Sequence, residues 1–158
     1  MELGRKYRLP LAVTSVSAAL DLVEVLTGSG HICVIDVISL SQWSELGDAQ
    51  EEMLKIAFKT GQTTSGSGGN TGVTPIPRLI GDAAHGMTVE SFNTTKASAG
   101  TIVEHGLWQW NVREEKEKIF LPKYPIVIPP STRGTLELVD APADAISIGG
   151  EILLTVIG

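Results

Sequence analysis

Short runs of β-branched and other apolar residues, cut repeatedly by Gly, Pro, Ser and Asn, fill most of this chain and leave little room for helices. Tyr7, Leu9, Leu11 and Val13 alternate with Arg8, Pro10, Ala12 and Thr14, the period of a half-buried strand. Proline cannot donate to a ladder, so Pro10 places this strand at a sheet edge. The run from His31 to Gln42 is apolar on both faces except at Asp36, which marks a strand buried on two sides. Thr88 to Asn93, Thr101 to Val112, Ile119 to Ile128, Thr135 to Val139 and Ala145 to Ile157 read as further strands. Val73 to Leu79 is extended and leads into a bend from Gly81 to Gly86.

Two segments fit more than one period. In Ser17 to Thr27, Ala19, Leu22, Val23 and Leu26 also suit one helical face. In Gly47 to Gly61, Asp48 and Glu51 resemble a capping box, with Gly61 as a helix stop. Against that helix, Leu54, Ile56 and Phe58 alternate with Met53, Lys55, Ala57 and Lys59. The strand neighbours favour a strand from Glu52 to Lys59. About eight to ten short strands predict an all-β fold, a single antiparallel β-sandwich with jelly-roll topology and long polar loops. Residues 1–158 form one domain of a size that buries a real core.

The most unusual stretch is TGQTTSGSGGNTG, from Thr60 to Gly72, which has no apolar and no charged side chain. It is longer than the roughly 2–5 residues a hairpin loop needs. Glycine tolerates positive φ, and Ser, Thr and Asn bond to nearby backbone, so the loop can mould itself to a surface. The expected surface is that of a neighbouring subunit. Asn93 to Gly100 (NTTKASAG) reads as a second soft loop of the same kind. A phosphate cradle is disfavoured, because no lysine follows the glycines and the chain leads to Pro75 and Pro77 rather than to a helix.

Charge and chemistry narrow the function classes. The net charge is −6 and Lys and Arg are scattered, which disfavours nucleic-acid binding. No apolar run approaches the ~18 residues of a membrane span, and the start of the chain lacks a signal-like apolar core. The lone Cys33 excludes an internal disulfide and reads as a buried small hydrophobe. His31, His85 and His105 lie in separate segments without metal-ligand spacing; Asp82 and His85 in the Gly81 bend fit a turn better than a cation site. Ser65 and Ser67 lack the leading glycine and the strand-to-helix turn of a nucleophile elbow. Glu114, Glu115 and Glu117, mixed with Lys116 and Lys118, read as a solvated turn. Trp108 and Trp110 share one strand face, which offers core packing or, as a minority option, a sugar-stacking platform. No catalytic, cofactor or metal site is expected.

Several passages carry a resemblance. Gly47 to Leu54, the loop from Thr63 to Gly69, Asn93-Thr94-Thr95 and Ala141-Pro142-Ala143-Asp144 resemble a group of small phage and prophage virion proteins. The chain is similar, more loosely, to the jelly-roll decoration or cement proteins of tailed-phage heads. That resemblance implies a non-enzymatic capsid decoration protein, a homotrimer made in the bacterial host cytoplasm and bound to the major capsid protein on the head surface. Tail or baseplate protein and carbohydrate-binding module are the alternatives. The expected partner contacts are Thr63, Thr64, Ser65, Gly66, Ser67, Gly68, Gly69, Asn70, Asn93, Thr94, Thr95, Trp108 and Trp110, with the apolar strands His31 to Leu40 and Ile152 to Ile157 as subunit interfaces.

Overall fold

The computed structural model describes residues 4–44 and 52–158. They form eleven strands: β1 (Arg5–Val16), β2 (Leu20–Thr27), β3 (Ile32–Gln42), β4 (Met53–Thr64), β5 (Ile76–Pro77) and β6 (Met87–Asn93). β7 (Ser98–Asn111), β8 (Lys116–Ile119), β9 (Ile126–Ile128), β10 (Arg133–Leu138) and β11 (Ile146–Ile157) complete the set. The front sheet has the order β5-β1-β11-β3-β8, with β9 also on β3; the back sheet runs β6-β2-β10-β4-β7. Every pairing is antiparallel, and the two sheets enclose one core, so the expected β-sandwich is what the chain forms. Asp48 and its capping-box reading lie outside the described residues. From Met53 onward the strand reading of the following segment holds.

The inner faces supply the core. Leu9 and Tyr7 on β1, Ile35 and Leu40 on β3, and Leu154 on β11 meet Ile56 and Phe58 on β4, Leu136 and Leu138 on β10, and Trp110 on β7. All are buried. Burying one such side chain contributes about 1.5–3 kcal/mol, and this alternation is what binds the two layers. Pro10 sits on β1 where β5 has ended. The Lys6 carbonyl accepts from Arg78 N at 2.8 Å on the β5 side. Peptide groups alternate along a strand, so the Pro10 nitrogen also points to that edge and removes no bond from the β11 ladder.

Four expectations need correction, each for a local reason. β3 is buried on its inner face only; Val34, Asp36 and Ser39 on the other face are half-exposed. The charged Glu114 to Lys118 turn becomes strand from Lys116, paired with β3 at Leu40. β4 continues past Lys59 to Thr64 because a register shift at Gly61 breaks its period. Gly61 has φ +94°, and a Cβ there would meet Thr101 O at 2.1 Å, so only glycine fits. The Asn93 to Gly100 segment likewise turns into strand at Ser98, paired with Thr64.

The ambiguous Ser17 to Thr27 segment is strand β2 from Leu20 onward. A register shift opposite Leu136 and Glu137 inserts Leu22 as an extra residue. Asp21 and Glu24, both on the outer side, therefore lie three apart instead of two or four. The same shift places Leu22 and Val23 both in the core, which is why they also suit one helical face.

Candidate functional site

The outer face of the back sheet is covered over β6, β2 and β10 by the chain's own two polar loops, while β7 stays largely exposed. Residues 65–70 leave β4 and run along β6: Ser67 and Thr95 exchange backbone hydrogen bonds at 2.9 and 3.0 Å, and Asn70 and Ser91 do so at 2.8 and 2.9 Å. The glycines permit this approach. A Cβ on Gly66 would meet Thr95 O at 2.7 Å and Glu24 Oε2 at 2.9 Å; one on Gly69 would meet Ser91 O at 2.2 Å. The Thr60 to Gly72 loop was expected to mould to a neighbouring subunit; in the structure the surface it follows belongs to its own chain.

Beneath these straps lie three carboxylates, Asp21, Glu24 and Glu137, on β2 and β10. Glu24 accepts from Ser65 Oγ at 2.7 Å, Gly66 N at 2.8 Å and Asn93 Nδ2 at 3.1 Å, and pairs with Arg133 Nε. Glu137 is shared by Lys59 on β4 and Lys96 on the second strap. Burial alone would raise the Glu137 carboxyl, but hydrogen bonds and charge from the two lysines outweigh it and hold the group below its usual range. Asp21 accepts from Ala97 N at 2.7 Å. Burial pushes it up to about 6; the Ala97 bond opposes the rise and the charges of Glu137 and Glu24 reinforce it. Buried ions are tolerated only when fully hydrogen-bonded, and here the straps supply the donors. The network is a latch between loops and sheet.

The expected contact residues therefore divide. Thr63, Thr64, Ser65, Ser67, Gly68, Gly69, Asn70, Thr94 and Thr95 are exposed on or beside the straps. Gly66 and Asn93 are buried inside the latch, and Trp110 is buried in the core, where its Nε1 donates to Glu114 O at 2.7 Å. None of these three presents a side chain to a partner. Trp108 is half-buried, edge-on to Phe120 at 5.8 Å with Lys118 over its ring. Only one of the two tryptophans faces out even in part, so the paired sugar-stacking platform does not form. His85 accepts from Met87 N at 3.1 Å and stands edge-on to Tyr7, within the bend that sequence assigned to a turn.

Among the described residues, the outer face of the front sheet carries no such cover. Lys6, Asp36 and Thr155 form the polar floor of a hollow of about 350 Å³, walled by Val34, Phe120, Pro122, Pro125 and Ile157. Lys6 Nζ lies 3.3 Å from Asp36 Oδ2, which also accepts from Thr155 Oγ1 at 2.7 Å. Phe120 N donates to Asp36 O at 2.9 Å and so fixes the loop from Phe120 to Pro125 at the margin of the face. Leu121 and Tyr124, at its tip, are 64% and 69% exposed. The single strand expected from Ile119 to Ile128 is interrupted here, ending at Ile119 and resuming at Ile126, because Pro122 and Pro125 have no N–H for a ladder; FLPKYP, with its two prolines, is the sign in the sequence. Compared with protein-family models, curated proteins and solved structures, the chain matches none.

Proposed function

We propose that the chain is a non-enzymatic structural protein of a tailed-phage virion, a capsid decoration protein that binds the outside of the major capsid lattice and stabilises the head. The observation that carries this reading is the division of the surface. The chain's own straps cover the back sheet over Asp21 and Glu24 on β2, whereas among the described residues the front face has no such strap and is rimmed by exposed apolar loops. A molecule built this way acts through a surface rather than a cleft. The strand order supports the same reading. β1-β11-β3-β8 lies against β2-β10-β4-β7, so the chain wraps back and forth between the layers as a jelly roll does. A rigid wrapped sandwich suits a part repeated by symmetry over a lattice, where many weak contacts add by avidity.

The test is co-sedimentation of purified protein with expanded, empty cognate heads. Saturable binding that raises the heads' resistance to heat is the expected outcome. No binding to heads, with binding to isolated tails instead, would overturn it in favour of a tail or baseplate role.

A further inference from the structure

An open groove runs along the seam of the two sheets, between β1 and the first strap. β5 covers β1 only at Tyr7 and Arg8; beyond it, β1 shifts register against β11 between Leu11 and Thr14. On the other side, backbone pairing of Asn70 with Ser91 holds the strap against β6. Two hollows of about 350 and 430 Å³ lie between these walls. Ala12, Asn70 and Ser91 line both, so the two form one elongated groove. Each half falls within the roughly 300–1,000 Å³ of ligand sites.

The lining selects the ligand. Among the described residues that line the groove only Arg8 is charged, and Glu151 pairs with it. Asn70 Oδ1 accepts from Gly72 N at 2.9 Å, which fixes the amide and leaves Nδ2 free to donate. The hydroxyls of Ser15, Thr74 and Thr94 are exposed and have no hydrogen-bond partner among the described residues. Pro10, Val73 and Leu20 supply apolar surface beside them. Phe92, also on the wall, has φ +56°, a region a bulky residue enters only where its surroundings hold it; such strain gathers at ligand sites.

We propose that this groove binds a neutral oligosaccharide. Sugar rings carry hydroxyls that both donate and accept, on a body with apolar C–H faces. An uncharged set of amide and hydroxyl groups beside Pro10 and Val73 matches both features. An anionic polymer would need unpaired cations, which the described lining does not offer. An extended peptide would add to the free edge of β1, but that edge is blocked. Pro10 has no N–H, the register shifts beyond Leu11, and Thr14 Oγ1 already donates to Ala12 O at 3.0 Å. The strap's bonds to β6 fix Asn70 and Thr94 beforehand, so little order has to be lost on binding. Neither Trp108 nor Trp110 takes part.

The experiment is a ligand-observed NMR titration of the full chain. The probes are hexasaccharides of glucose, mannose, galactose and N-acetylglucosamine, with a heparin hexasaccharide and an alternating Thr-Val peptide beside them. At least one neutral hexasaccharide should bind with a Kd between about 10 μM and 1 mM. Asn70→Asp keeps the acceptor for Gly72 N but removes the amide donor, and Thr94→Val removes a hydroxyl at nearly constant shape. Each should weaken binding roughly 3–10-fold, the loss of one hydrogen bond. Thr88→Val, exposed on β6 outside the groove, should bind as the wild type does. All three side chains are exposed, so unchanged thermal midpoints separate a lost contact from a lost fold. No binding of any neutral hexasaccharide at about 10 mM, where a 1 mM site would be filled, would overturn the inference. Tighter binding of heparin or of the peptide, or wild-type affinity in both groove variants, would do the same. Glycan binding requires no head, so failure here leaves the decoration proposal standing, and failure to bind heads leaves this site standing.

Discussion

Replacing Asp21 with Asn should stabilise this protein at neutral pH, the reverse of what removing a buried, hydrogen-bonded carboxylate usually does. Asp21 is 2% exposed, and burial, reinforced by Glu137 and Glu24, pushes it up to about 6 from the ordinary 3.8. Ala97 N and Lys96 oppose the rise without cancelling it. Because the folded value is raised, the folded state holds the proton more tightly than the unfolded chain. Its contribution to stability is complete below pH 3.8 and is lost as pH rises through about 6. Holding a carboxyl that far above its usual value corresponds to about 3 kcal/mol. Asn keeps the shape and an oxygen to accept from Ala97 N, but carries no charge to desolvate. At pH 7.5 the variant should be more stable by about 2–3 kcal/mol, roughly 5–10 °C in Tm for a chain of this size. At pH 3.5 the two proteins should coincide. Urea unfolding across that pH range, followed by tryptophan fluorescence, measures both ends. A variant that is less stable at pH 7.5, or a difference that does not change with pH, would refute the reasoning.

Other outcomes follow from the same structure. Glu137→Gln leaves Lys59 and Lys96 half-buried without their anion and should cost about 2 kcal/mol at pH 7, with the strap around Lys96 losing amide protection first. Because the Glu137 carboxyl is held low, the stability it supplies is present above its unfolded pKa and vanishes as pH falls through the folded one, so the penalty of Glu137→Gln should disappear in acid. Gly66→Ala forces a methyl against Thr95 O and Glu24 and should destabilise by about 1–3 kcal/mol, seen as faster hydrogen exchange at Ser67 and Asn70. Trp110→Ala should cost about 3–5 kcal/mol in chemical unfolding, while Trp108→Ala, half-exposed, should cost clearly less. Burial pushes the Cys33 thiol up to about 12, so Ellman's reagent should leave it unmodified until the protein is unfolded.

The β-sandwich was legible because alternation survives wherever a strand has one wet face, as in Tyr7 to Leu11 and Leu54 to Phe58; at Val13 a register shift turns the expected core residue outward. It failed at irregularities. The extra residue in β2 puts Leu22 and Val23 together in the core, as one helical face would, and the shift at Gly61 made the end of β4 look like loop. β5 and β9 are too short to leave a period at all. The Ser-Gly-Gly loop was expected to follow a neighbour's surface; it follows the chain's own sheet instead, and Gly66 and Gly69 are what let it approach.

By itself, then, the sequence determined the fold class, the two-layer core and the presence of two glycine- and hydroxyl-rich polar loops, because these rest on local periodicity and local turn chemistry. Only the tertiary structure decided what the straps hold. Glu24, Arg133, Asn93 and Gly66 are far apart along the chain, yet they meet in one buried network. Pairing between distant strands sets that meeting, and no local pattern encodes it. The same holds for the open front face, whose apolar area exists only once β3, β8, β9 and β11 lie side by side.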